Sequence, residues 1–178
     1  MKKRFHEVRF VLIWEASMRN KKRIVFIILT IIWMVTIFIF SNQNSDTSSD
    51  TSGNVIRTVV RLFTNVSQEQ EEIIIEQLQH FVRKMAHFSI YALGGIILMN
   101  LVKTYTDKCA WLYAWIIGTV YAITDEIHQY FIPGRSNQIS DVVIDSSGVI
   151  TGVLIVIIVG YAIKKVKTKY FLSKNIEK

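Results

Sequence analysis

Residues 24–40 read IVFIILTIIWMVTIFIF and carry no charge. A bilayer core about 30 Å thick is crossed by a helix of roughly 20 mostly apolar residues, and about 17 suffice at the short end. Basic residues precede this run, as in a signal peptide, but the following stretch SNQNSDTSSD offers no small-x-small cleavage site. We therefore interpret residues 24–40 as an uncleaved membrane anchor.

Three further apolar runs extend this pattern, at about 85–102, 109–129 and 142–163. The run at 109–129 reaches spanning length only if its helix continues through the polar residues 125–129. The run at 142–163 is interrupted by a single charge, Asp145. Together the four runs predict an all-α integral membrane protein, a four-transmembrane-helix bundle with short amphipathic surface helices.

Composition excludes several other classes of protein. The chain has 178 residues, 51% of them hydrophobic, and a single proline, and its mean hydropathy of +0.31 is high for a soluble domain. Its one cysteine, Cys109, excludes an intramolecular disulfide and any CxxC motif. The chain is therefore neither disulfide-stabilised nor of the kind that stays disordered in solution.

The distribution of charge predicts the topology. The net charge is +7, and 16 of the 21 lysines and arginines lie in residues 1–23, 103–108 and 164–178. Because cytoplasmic loops carry the excess of basic residues, both termini are expected in the cytoplasm. The predicted organisation is a cytoplasmic basic segment at 1–23, a membrane domain at 24–163 with outer loops at 41–84 and 130–141, and a cytoplasmic basic tail at 164–178. Basic residues at membrane borders do not form a nucleic-acid surface, so no nucleic-acid partner is expected.

The segments outside the runs are more varied. Residues 41–54 are rich in Ser, Thr, Asn and Asp and are predicted to form a loop. Apolar residues at helical spacing in 55–63 and 74–82 predict surface helices. Residues 1–23 fit either an amphipathic helix at the inner interface or a frayed basic tail.

Polar residues concentrate at one predicted membrane level, at the outer ends of the later three runs. Ionisable groups at membrane depth are costly and are functional candidates by default. The group comprises Lys84, His87, Asp125, Glu126, His128, Gln129, Arg135, Asp141 and Asp145.

Helical spacing indicates which of these side chains share a face. Asp125, His128 and Gln129 stand at i, i+3 and i+4, whereas Glu126 points about 100° away. By the same spacing Lys84 and His87 share one face of their helix, and Asp141 and Asp145 lie one turn apart on theirs. A carboxylate near a histidine suits a general base or a metal ligand. The candidate catalytic residues are therefore His87, Asp125, Glu126 and His128. Two other interpretations stay open: an internal network in which Arg135 and Lys84 neutralise the carboxylates, and a metal site, for which no HxxxH or HExxH spacing is present and no metal or other cofactor is identified.

Two local patterns concern backbone geometry. Pro133 followed by Gly134 suits a type II turn that would hang Arg135 over the polar residues. Gly148 and Gly152 form a GxxxG pattern, which predicts close packing of the last span against another helix.

Three motifs resemble the VanZ-like family of bacterial membrane proteins. They read K-x-x-H-F-x-x-Y at 84–91, T-D-E-x-H-Q-x-F-x-P-G-R at 124–135 and D-x-x-x-D-x-x-G at 141–148, and F-S-N-Q at 40–43 is similar to a further family segment. The resemblance covers residues 24–163, and the central motif is its most specific part. Asp145 stands where proteins of this type often have Asn.

The resemblance implies a multi-pass bacterial plasma-membrane protein of cell-envelope physiology, related to a founding member associated with resistance to the glycopeptide teicoplanin. The expected function is an outward-facing polar site that recognises an anionic lipid headgroup or a lipid-linked envelope precursor. The alternative is a membrane-embedded hydrolase or transferase, metal-dependent in one version, acting on a lipid-linked substrate, so whether the protein is an enzyme stays open. The candidate ligand-binding residues are Lys84, Tyr91, Gln129, Arg135, Asp141 and Asp145.

Overall fold

The computed structural model describes residues 2–43, 45–64, 66–134 and 138–176, with side chains described for 13–43, 49–64, 66–134 and 138–171. Within these ranges the chain is helical and contains no strand. The helices are α1 (Lys2–Ser41), α2 (Ser45–Phe63), α3 (Gln68–Lys103), α4 (Ala110–Gln129) and α5 (Ile139–Ile176). The all-α prediction is therefore confirmed.

Three helices are long and apolar enough to cross a membrane: the segments Ile13–Ser41, Gln68–Lys103 and Ile139–Phe171. Much of their apolar surface is exposed, as in Ile31 of α1 and Ile158 of α5, which is what lipid-facing helices require. Helix α4 continues through residues 125–129, as a fourth span would require, but it is not among these three. The chain is thus a helical membrane protein, and its fourth span stays a prediction.

Two predicted boundaries differ from the structure. The segment predicted as a loop, 41–54, is helical from Ser45 onward and joins the expected surface helix 55–63 to form α2. The expected surface helix 74–82 is the first part of α3, which begins with a capping box between Ser67 and Gln70 and runs on into the apolar segment without a break. The loop prediction was wrong because α2 is amphipathic: it buries Ile56 and packs against α3, with Gly53 next to Ile75.

The N-terminal segment continues α1. Its backbone is helical from Lys2, so the helix interpretation of residues 1–23 is confirmed for 2–23 and the frayed tail is wrong. The side chains before residue 13, which would show an amphipathic face, lie outside the described ones. At the end of this segment Arg23 donates a hydrogen bond to the Thr104 carbonyl (3.0 Å) and stacks on Tyr105. This contact ties α1 to the end of α3.

Glycines set the distance between α3 and α5. Gly148 and Gly152 lie directly against the backbone carbonyls of Phe88 and Ala92, and Gly95 lies against the backbone of Val149. A Cβ atom at Gly152 would collide with the facing backbone, so the predicted GxxxG packing is confirmed. Because the contacts advance along both helices in the same direction, α3 and α5 run parallel.

Two tryptophans attach the other helices. Trp33 of α1 lies on Gly94, and its Nε1 donates to the Ile90 carbonyl at 2.9 Å. Trp115 of α4 donates from Nε1 to Ser146 Oγ of α5 at 3.0 Å. Two further contacts place the C-terminal ends of α1 and α4 and the start of α5 at one end of the bundle: Phe38 stacks on His128, and the Gln138 N–H donates to Glu126. The first half of α3 lies at the same end, with α2 packed on it. We call this end of the bundle the hairpin end.

Candidate functional site

Two polar pairs join α3 to α5 at the hairpin end. Lys84 Nζ lies 3.1 Å from Asp141 Oδ1, and His87 Nδ1 lies 3.6 Å from Asp145 Oδ1. The first pair is about one quarter exposed, whereas the side chain of Asp145 is only 3% exposed. Because the helices run parallel, Lys84 and His87, three residues apart on α3, face Asp141 and Asp145, four residues apart on α5. The two faces predicted from helical spacing therefore meet.

Helix α4 adds a second carboxylate to the buried pair. Asp125 is 5% exposed, and its Oδ2 accepts hydrogen bonds from Gln129 Nε2 at 3.0 Å and from the buried Tyr91 hydroxyl at 3.4 Å. His87, Asp125 and Asp145 each offer one potential metal-ligand atom, and these atoms lie within 4.8 Å of one another. We call these three residues the buried triad.

The buried triad has more acidic than basic groups. Among the described residues, no lysine or arginine lies within 4.0 Å of the carboxylate of Asp125 or Asp145. Asp145 Oδ1 is buried and accepts no hydrogen bond from the described residues. Burying a carboxylate is costly unless it is paired and hydrogen-bonded, and among the described residues the ion-pair partner in this group is His87, 3.6 Å from Asp145.

Glu126 lies apart from the buried triad, on the side of α4 that its position in the helix predicts. Its Oε1 accepts a hydrogen bond from the backbone N–H of Gln138 at 2.6 Å, and the residue is 5% exposed. The contact ties the end of α4 to the residue preceding α5. This geometry fits a structural anchor for the start of α5.

His128 turns toward α1 although its spacing from Asp125 suggested a shared face. Its ring stacks on Phe38, with centroids 4.9 Å apart, and its Nε2 is buried without a hydrogen bond to the described residues. His128 makes no hydrogen bond to Asp125, because the end of α1 packs beside the last turn of α4 and supplies an aromatic face. The structure therefore brings together His87, Tyr91, Asp125, Gln129 and Asp145 but separates His128 from them.

The turn before α5 is described only in part. Gly134 has a φ of 76°, the left-handed backbone that the predicted type II turn requires at this position. Arg135 lies outside the described residues, so its predicted place over the site stays a prediction.

A groove on the surface reaches His87 of the buried triad. It lies between the end of α1, α2 and the middle of α3 and has a volume of about 310 Å³. His87 and Tyr91 form part of its wall, and Arg83 contributes a cation. The remaining lining is largely apolar and comprises Ile37, Phe40, Ser41, Gln43, Thr51, Ser52, Val55, Val82, Ala86 and Ile90.

Sequence reasoning missed this groove and with it Arg83, whereas Ser41 was noted only as part of the F-S-N-Q segment at 40–43. One wall is α2, whose first part was expected to be a loop, and no periodicity linked it to α3. The available signal was the adjacency of Arg83 and Lys84 at the start of an apolar run.

A separate charged cluster joins α2 to the first turns of α3. Arg57 bonds Glu71 and Glu72, both at 2.8 Å, and Arg61 lies 3.1 Å from Glu71. Hydrogen bonds to Glu72 and Glu71 raise the pKa of Arg57 above its usual value. We call these four residues the exposed ion cluster, because Arg61 and Glu72 are 63% and 66% exposed although Glu71 is buried. They connect α2 to α3.

Comparison with known proteins gives a match to a protein family. No curated protein and no solved structure shows a significant match. The VanZ/LLP1 family matches residues 26–160, a range that includes the three spanning helices' apolar cores, the groove and the buried triad. That range covers most of the chain, and the protein therefore belongs to the VanZ/LLP1 family.

Proposed function

We propose that this protein is a multi-pass protein of the bacterial plasma membrane, with both termini in the cytoplasm, that binds an anionic envelope lipid or lipid-linked envelope precursor from the outer side. Family membership and the apolar helices support the membrane setting. The excess of Lys and Arg in residues 1–23, 103–108 and 164–178 supports the orientation. The hairpin end then faces outward.

The groove is the observation that carries this proposal. Its volume of about 310 Å³ is at the lower end for ligand sites, and its largely apolar wall suits a hydrocarbon chain. Arg83 supplies the positive charge that an anionic headgroup requires, whereas Lys84 is already paired with Asp141. A lipid with its chain in the groove therefore has its headgroup close to Arg83 and His87.

Lipid binding can be tested by native mass spectrometry of the full chain in detergent. The probes are phosphatidylglycerol and a polyprenyl phosphate, with zwitterionic phosphatidylcholine as the reference. We expect retention of the anionic lipids, weaker retention of both by Arg83→Ala, and loss of chain binding when Ala86→Phe fills the groove. Arg61→Ala, which removes a cation from the exposed ion cluster, is the matched control. The proposal is contradicted if wild type retains all three lipids equally. It is also contradicted if Arg83→Ala retains the anionic lipids as well as wild type does.

Protection against teicoplanin is the physiological part of the proposal. A host lacking the gene is complemented with wild type, Asp125→Asn or Arg83→Ala at matched membrane expression. We expect wild type to protect against teicoplanin more than against vancomycin, and the variants to lose that protection. If wild type behaves like the empty vector, resistance is not this protein's role, while lipid binding is judged by the mass spectra.

A second candidate is a hydrolase or transferase acting on a lipid-linked substrate. The pairing of His87 Nδ1 with Asp145 Oδ1 at 3.6 Å favours it, because a carboxylate beside an imidazole orients it as a general base. Incubation of the reconstituted protein with a panel of lipid-linked phosphates tests this candidate. Turnover that His87→Gln abolishes supports it, and absence of turnover across the panel counts against it.

A further inference from the structure

We propose that His87, Asp125 and Asp145 form a binding site for one divalent transition-metal ion, with zinc as the first ion to test. Each residue belongs to a different helix, α3, α4 and α5, so the site forms only in the folded bundle. Their ligand atoms lie within 4.8 Å of one another. Around a tetrahedral zinc with bonds near 2.1 Å the ligand atoms are roughly 3.4 Å apart, a distance that small side-chain rotations reach.

The buried oxygen of Asp145 is an independent observation that points to a ligand. Asp145 is 2% exposed, and its Oδ1 accepts no hydrogen bond from the described residues while it points toward His87 at 3.6 Å. Leaving a buried acceptor without a hydrogen bond is costly, and more so for a charged group. A metal ion between His87 and Asp145 would remove this cost.

The charge and ligand types fit a transition metal. Two carboxylates and a neutral imidazole carry a net charge of −2, which a divalent ion neutralises, and no described lysine or arginine competes for either carboxylate. Imidazole is a good ligand for zinc and related ions, whereas calcium and magnesium favour sites made of oxygen atoms. Three protein ligands leave a fourth position open, the arrangement of catalytic zinc sites.

The surroundings of the three ligands also fit. Tyr91 and Gln129 both donate hydrogen bonds to Oδ2 of Asp125 and so orient its carboxylate, the role of outer-shell partners at metal sites. His87 and Tyr91 line the groove, so one of the three ligands is reached from the surface. None of these observations depends on lipid binding, so the metal site holds or fails independently of the proposed function.

The test is a zinc titration of the full-length protein, purified in detergent and stripped of metal with a chelator. Isothermal titration calorimetry measures affinity and stoichiometry, and the absorption spectrum of added cobalt(II) reports the coordination. We expect one zinc per chain. We expect Asp145→Asn, Asp125→Asn and His87→Gln each to weaken binding at least about 100-fold, since even outer-shell partners account for about 10- to 100-fold.

Glu72→Gln is the matched control, because it removes an exposed carboxylate of α3 that lies in the exposed ion cluster and not at the three ligands, so it should leave zinc affinity unchanged. Gel filtration establishes that each variant is folded, and three separate ligand variants prevent one unfolded protein from deciding the result. The proposal is overturned if folded wild type binds no stoichiometric zinc. It is equally overturned if folded Asp145→Asn binds zinc as tightly as wild type.

Discussion

The exposed ion cluster and the buried triad use similar residues in opposite ways. In the exposed ion cluster two arginines face two glutamates, with nitrogen–oxygen distances of 2.8 to 3.1 Å. In the buried triad two aspartates face one histidine, whose nearest ion-pair distance is 3.6 Å. In the exposed ion cluster the positive and negative groups are equal in number, whereas the buried triad contains more acidic than basic groups.

The two clusters therefore differ in whether their charges are balanced within the chain. Ion pairs at the surface contribute little to stability, and the exposed ion cluster, with Arg61 and Glu72 63% and 66% exposed, orients α2 on α3. Buried carboxylates without a cation are costly, so the buried triad is the cluster to which we assign the proposed metal ion. Four substitutions test this difference.

The largest effect is expected from separating α3 and α5, which carry two of the three triad residues. Gly152→Ala places a methyl group against the Ala92 carbonyl, and because backbone cannot yield as a side chain does, we expect a loss of about 3 kcal/mol or more of unfolding free energy. Thermal unfolding and folded yield in detergent measure it. Gly160→Ala is the control, since nothing lies within 4 Å of a Cβ there; equal behaviour of the two variants would contradict the glycine interface.

A smaller loss is expected when the anchor between α4 and α5 is removed. Glu126→Ala deletes the acceptor of the Gln138 backbone N–H, a charge-assisted bond of 2.6 Å, and we expect a loss of about 2 kcal/mol. Glu126→Gln keeps an acceptor and should lose less. Chemical unfolding in detergent measures both, and identical losses would show that the bond is not the cause.

Removing a charge from the buried triad is expected to preserve stability. In metal-free protein Asp145→Asn keeps the shape of a buried side chain whose Oδ1 accepts no hydrogen bond from the described residues, and it removes the charge of that side chain. We expect the unfolding free energy to stay the same or rise by up to about 1 kcal/mol. The thermal unfolding of both proteins, measured with chelator present, checks this. A large loss would mean that the His87–Asp145 pair stabilises the fold in its own right.

The smallest effect is expected in the exposed ion cluster. Arg57→Ala removes two ion pairs, yet Glu71 keeps Arg61 as a partner. We expect the melting temperature to change by no more than about 2 °C, and the difference to shrink further at high salt. Melting curves at low and high ionic strength measure this. A large fall in melting temperature that is the same at both ionic strengths would show that the two clusters do not differ as described.

Much of the fold could be predicted because apolar run length is a local property of the chain. Residues 24–40, 85–102 and 142–163 lie in α1, α3 and α5, and the helix at 109–129 continues through its polar end. The spacing of Lys84 and His87 on α3 and of Asp141 and Asp145 on α5 predicted two shared faces, which the structure shows in contact.

The remaining features depended on contacts between helices. Helix α2 has a polar sequence in its first half, and it packs against the first part of α3, where Gly53 lies next to Ile75. His128 follows Asp125 by three residues, which predicts a shared face, but its ring stacks on Phe38 of α1. Arg83 carries no motif of its own, and only the groove gives it a candidate role.

Run length and helical period, which are local properties, were therefore enough to predict the helical membrane class, the glycine pattern for close packing and the helix ends at which the polar residues lie. Contacts between helices determine which polar side chains share one site. His87, Asp125 and Asp145 meet because glycines bring α3 and α5 into backbone contact and α4 packs beside them. Those distances arise between helices far apart in the chain, and no local pattern encodes them.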